Sequence, residues 1–87
     1  MDIDYKVENG KLLRLQVGVK SGVVEFIRLR GDFFMHPEER FAEIEQELAG
    51  VRVENIAQAF DEFVLKHKIK VVGFSGRDLQ AAVSRAV

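Results

Sequence analysis

The sequence contains no cysteine and no tryptophan, one proline (Pro37) and one tyrosine (Tyr5). Without cysteine there is no disulfide framework, no thiol nucleophile and no Cys-ligated zinc or iron–sulfur cluster. The same absence fits a reducing compartment. No apolar run approaches the ~18 residues that a membrane-spanning helix needs. The first residues, Met1-Asp2-Ile3-Asp4-Tyr5, are acidic and lack the basic and apolar regions of a secretory signal, so a cytoplasmic location is expected. No Walker loop, dinucleotide fingerprint, nucleophile elbow or metalloprotease helix pattern occurs.

What remains is a globular composition, 47% hydrophobic and 31% charged, over 87 residues. That length fits one domain, 1–87, with a small core. The net charge of −1 conceals an uneven distribution. Residues 1–31 carry six basic and four acidic groups, residues 32–65 two basic and nine acidic, and residues 66–87 five basic and one acidic. So acidic a middle third is a poor surface for phosphate backbones. It reads either as a solvated helix face or as a patch that steers a basic partner.

The first third alternates with period two. A short strand is expected over Tyr5–Val7, then a tight turn at Asn9-Gly10. Leu13, Leu15, Val17 and Val19 alternate with Arg14, Gln16, Gly18 and Lys20, as in a half-buried strand. After a Ser21-Gly22 turn, Val23–Arg30 is a third strand with a break in parity: Val24 belongs to one face, Ile27 and Leu29 to the other. A β-bulge at Glu25–Phe26 opposite Gly18 reconciles them, pairing Val17 with Ile27 and Leu15 with Leu29. Arg14, Gln16, Phe26, Arg28 and Arg30 then share the outer face.

Helical spacing takes over from Pro37. Pro37-Glu38-Glu39 is expected to open a helix with the stripe Phe41, Ile44 and Leu48, stopped by Gly50. A second helix is expected from about Glu54 to Lys66, with the stripe Ile56, Phe60, Phe63 and Val64. Val71-Val72 is a candidate extended piece. Ser75-Gly76-Arg77-Asp78 reads as a capping box opening a last helix with Leu79, Ala82, Val83 and Ala86 on one face. The fold class is therefore α+β, a small three-stranded antiparallel sheet packed with three helices.

Catalytic constellations are weak. His36 and His67 are the only histidines and lie far apart; His67 continues the second helix's stripe and reads as a helix-end residue rather than a metal ligand. Glu38, Glu39, Glu43, Glu45 and Glu47 could pair for acid–base work, but they alternate around an amphipathic helix and should be wet. Gly73-Phe74-Ser75-Gly76 could cradle an anion, or simply be a capped turn. Lys66, Lys68, Lys70 and Arg77 could reach a nucleotide, or simply be solvated.

The unusual segment joins sheet to helix: Gly31-Asp32-Phe33-Phe34-Met35-His36. Gly31 permits a sharp exit, and Asp32 can fold its carboxylate onto nearby backbone N–H groups. Adjacent phenylalanines in extended chain point opposite ways. Either both lie under the first helix, or one enters the core and leaves the other for a partner.

This segment resembles the C-terminal accessory domain of lipoate–protein ligases, in which an apolar strand runs into Gly-Asp-Phe-Phe and then a helix ending at Leu-x-Gly. The matches are Gly22-Val23-Val24, Ile27, Leu29, Gly31-Asp32-Phe33-Phe34, Pro37 and Leu48-Ala49-Gly50. Ile56, Phe60, Gly73-Phe74-Ser75 and Leu79 follow the looser remainder of the pattern. The resemblance implies a stand-alone, non-catalytic subunit that forms a heterodimer with a catalytic subunit and supports lipoyl-AMP formation. Lipoate and ATP/Mg would be held by that catalytic subunit, none by this chain alone, before transfer to a lipoyl-acceptor domain. It also implies a fold like that of iron–sulfur scaffold proteins of the IscU/SufE type, whose cysteines are missing here. No catalytic residue carries over. Candidate interface residues are Gly31, Asp32, Phe33 and Phe34, with Phe26, Arg28, Arg30 and Arg14 on the sheet face. Two other readings stay open: an independent binding module, for instance a homodimer through the first strand, and a small enzyme, against which the lack of converging polar groups argues.

Overall fold

The period-two segments become three strands, β1 (Asp2–Lys6), β2 (Leu12–Lys20) and β3 (Val23–Gly31), in a computed structural model that describes residues 1–8 and 11–87. The expected Asn9-Gly10 turn lies outside the described residues. The sheet is antiparallel in the order β1-β2-β3. Ser21 and Gly22, with φ of 53° and 78°, make the two-residue turn between β2 and β3; two positive φ values match the twist of the flanking strands. The register shifts between Gly18 and Val19, so that Val19 faces Val24, Gly18 faces Phe26 and Glu25 is the extra residue. Past this bulge Val17 meets Ile27 and Leu15 meets Leu29, which puts Ile27 and Leu29 on the same buried face as Val24.

β1 starts earlier than the expected Tyr5. Ile3 and Tyr5 face inward, while Asp2, Asp4 and Lys6 face water, so the charges mask a regular alternation.

Pro37 does not begin an α-helix. It precedes a 3₁₀ turn, Glu38–Arg40, which feeds α1 (Phe41–Leu48). A second 3₁₀ turn, Val53–Asn55, likewise feeds α2 (Ile56–Lys66), and α3 spans Gly76–Ala86. At α3 the capping box closes on both sides: the Ser75 hydroxyl accepts from the Asp78 N–H, and the Asp78 carboxylate accepts from the Ser75 N–H at 2.8 Å. A further pair of strands, β4 (Phe34–His36) and β5 (Lys70–Val72), forms a separate antiparallel ribbon. Among the described residues the architecture is thus α+β, a three-stranded sheet, a two-stranded ribbon and three helices.

The helices cover one face of the sheet. Leu13, Leu15, Val17, Val24, Ile27 and Leu29 from the strands meet Ile44, Leu48, Ile56, Leu79 and Val83 from the helices in one buried cluster. Among the described residues no helix is long and apolar enough to cross a membrane.

Candidate functional site

The Gly31–His36 segment carries the chain from the sheet to the ribbon. Gly31 has φ of +132°, and a Cβ there would overlap the carbonyl oxygen of Leu12. The next residue fixes that carbonyl, since Asp32 N–H donates to Leu12 O at 2.9 Å. Among the described residues the Asp32 carboxylate makes no hydrogen bond, so the expected side-chain turn is replaced by this backbone one. Gly31 therefore answers to the fold.

The two phenylalanines part ways. Phe33 turns inward, stacked on Phe41 at 5.7 Å between centroids and edge-on to Phe74 at 5.0 Å, and Phe74 in turn meets Phe60 at 5.3 Å. Phe34, the first residue of β4, points out with 54% of its surface exposed. β4–β5 pairing sets it opposite Val72, which is 51% exposed. His36, two residues on and so on the same face, stacks with Phe34 at 6.5 Å. Met35 between them is buried. Phe34 stands as a ridge between two open depressions, one of about 450 Å³ bounded by Leu29, Phe33, Met35 and Phe41, the other of about 420 Å³ bounded by Asp32, Val72 and Gly73. An aromatic ring between hollows whose rims also carry Arg30 and Glu38 on one side and Lys11 and Asp32 on the other can interlock with a complementary surface.

The outer sheet face is assembled as its parity implies, but its members are differently employed. Phe26, 44% exposed, lies over Gly18, where a Cβ would meet the ring at 2.5 Å. It thus shields the one position of β2 with no side chain. Arg14 faces Asp4 at 3.7 Å, with both side chains mostly in water, and Arg28 reaches Gln16 at 3.4 Å. Neither contact holds its guanidinium firmly.

Arg30 is different. It donates to the carbonyl of Leu29 at 2.7 Å and lies 3.7 Å from the Glu45 carboxylate, which itself accepts the Leu29 N–H at 2.8 Å. Arg30 and Glu45 together satisfy the outward backbone groups of Leu29 on β3. Glu45 is the functional group that sequence reasoning passed over, counted among five wet carboxylates. One signal was available: position 45 lies four after Phe41 and three before Leu48, at the border of the buried stripe. Glu45→Ala is expected to cost about 1–2 kcal/mol, because a partly buried N–H loses its acceptor. The corresponding fall in Tm, about 4–8 °C per kcal/mol for a domain of this size, is checked by thermal melting against Glu45→Gln, which keeps the acceptor.

Ionisation shifts arise at the other end of β3, beside the Ser21–Gly22 turn. There a shared side-chain hydrogen bond raises Arg52 and lowers Glu54. Among the described residues no cluster of three or more His, Asp or Glu could hold a metal ion. His67 ends α2 with its ring 4.3 Å from Phe63. The site is therefore an apolar, aromatic surface with charges at its margin, a shape suited to docking.

No curated protein matches the chain. Among solved structures it is similar to a chain of an archaeal lipoylation system, a bi-partite lipoate protein ligase and its E2 lipoyl domain from Thermoplasma acidophilum. The TM-score is 0.77 at 24% identity, over 94% of this chain and 91% of that one. That likeness establishes a shared fold. The family profile of the bacterial lipoate protein ligase C-terminus matches residues 1–82, and the chain belongs to that family.

Proposed function

We propose that the chain is the non-catalytic accessory subunit of a two-chain lipoate–protein ligase in the cytoplasm. It docks on a catalytic subunit as a heterodimer and supports ATP-dependent formation of lipoyl-AMP there, with lipoate, ATP and Mg²⁺ held by the larger partner. The observation that carries this reading is the fold match to a chain of a bi-partite ligase over 91% of that chain's length, joined to the family match over residues 1–82. Kinship of fold with scaffold proteins of the IscU/SufE type belongs to the same reading. The contribution of the subunit is conformational: docking favours the ordered form of the adenylation site in the partner. Phe34 and the hollows beside it are the central contact; Arg28 and Arg14, held only by weak surface contacts, contribute at the edge.

Co-expression with a lipoate ligase catalytic subunit from the same source tests this. A stable complex is expected, with lipoate-dependent pyrophosphate release about 5- to 150-fold faster than from the catalytic subunit alone, the range of ordinary conformational coupling. No complex and no stimulation would leave the chain as an independent binding module.

A further inference from the structure

The two edges of the three-stranded sheet are finished differently. The β3 edge is covered at both ends: Val24 N–H donates to Val51 O, Gly50 N–H donates to Val24 O, and the Leu29 groups are taken by Glu45 and Arg30. The β1 edge is open. Val17 N–H donates to Met1 O and Val7 N–H to Lys11 O, so the odd-numbered residues of β1 bond to β2. The N–H and C=O groups of Asp2, Asp4 and Lys6 therefore point away from the sheet, and among the described residues they find no backbone partner. Such an edge is a template for one more strand.

We propose that the strand it takes is β1 of a second copy, forming a six-stranded sheet across a two-fold axis at Asp4. The charges select this occupant. Antiparallel pairing about Asp4 sets Asp2 of each copy opposite Lys6 of the other, two favourable pairs on the open face. On the core-facing side it sets Ile3 opposite Tyr5, twice, as apolar–aromatic neighbours. The two Asp4 carboxylates meet at the axis, but each has Arg14 of its own chain at 3.7 Å, which leaves the centre neutral. Sliding the pairing by one step in one direction sets Asp2 against Asp4. Sliding it in the other also gives two Asp4–Lys6 pairs, but it sets Asp2 against Glu8 past the end of β1 and leaves only three residues of each strand paired with the other strand. The register centred on Asp4 is the one that pairs all five residues of β1 and sets no other acidic pair face to face, and it is self-complementary, as an isologous dimer needs.

A five-residue pairing falls below the standard interface, so the dimer should be weak. Sedimentation equilibrium on the isolated chain from about 10 µM to about 1 mM should show the mass rising toward twice 9.9 kDa. Asp4→Pro removes an outward N–H that β2 does not use and should stay monomeric at every concentration, with its circular dichroism unchanged. Asp2→Lys should weaken the dimer about tenfold or more, and adding Lys6→Asp should restore it. A chain that stays monomeric at 1 mM overturns the proposal, as does a dimer indifferent to Asp4→Pro or a charge swap that fails to rescue. If Asp4→Pro instead abolishes binding to the ligase catalytic subunit while the free chain stays monomeric, the edge belongs to that partner and the proposal falls. The dimer stands or falls separately from the accessory-subunit reading, whose test is stimulation of the ligase.

Discussion

Gly31→Ala should lower the stability of the chain by about 3 kcal/mol or more, a large part of the roughly 4–13 kcal/mol expected for 87 residues. Two costs combine. A side chain at φ of +132° is strained, on the order of 1–3 kcal/mol. The new Cβ also meets the Leu12 carbonyl oxygen, a backbone atom held by the Asp32 N–H, so nothing nearby can swing aside. Gly50→Ala separates the two terms. Gly50 has φ of +89° with nothing within 4 Å of the added Cβ, so it should cost only the strain, about 1 kcal/mol. Urea unfolding of both variants, followed by far-UV circular dichroism, gives the difference directly. Equal effects at the two positions would mean that the β3 exit is not packed against β2 in solution.

Gly31 makes the sharp exit expected of it, with φ of +132° and the Leu12 carbonyl oxygen close by. Its place beside two phenylalanines made it an interface candidate, although the close approach of Leu12 O explains it without any partner. Parity exposed the sheet face, the bulge and the pairing past it, because one buried face makes register a hard constraint. The helix stripes and the Ser75–Asp78 box were legible for the same reason: each is written in the spacing of a few neighbouring residues. β4 was not, since three residues, Phe34–His36, make no periodic signal, and their partner Lys70–Val72 lies far along the chain. The partnership of Glu45 with Leu29 and Arg30 was hidden likewise, being a contact between a helix and a strand edge. Local chemistry is visible in a sequence; closure between distant segments must be built before it can be read.

Phe33→Ala and Phe34→Ala should fail in opposite assays. Phe33 is partly buried and holds Phe41 and Phe74 in contact, so its truncation leaves a gap among rings that cannot all close in. The expected cost is about 2–4 kcal/mol, a fall in Tm of roughly 10–20 °C, since Phe→Ala in a fully packed core costs about 3–5 kcal/mol. Phe34 packs only against the exposed ribbon face, opposite Val72 and stacked on His36, so its loss should move stability by no more than about 0.5–1 kcal/mol. Binding reverses the order. As the central exposed aromatic between two hollows, Phe34 should carry about 2 kcal/mol or more of the affinity for the catalytic subunit, a loss of thirtyfold or more in Kd. Phe33→Ala, assayed well below its own Tm, should bind within a few-fold of wild type. Thermal melts and titration calorimetry on the two variants decide the matter. Unchanged affinity in Phe34→Ala would remove the ribbon face from the interface, whereas a Tm lowered as far as in Phe33→Ala would mean that Phe34 is packed in solution and the exposed ridge does not exist.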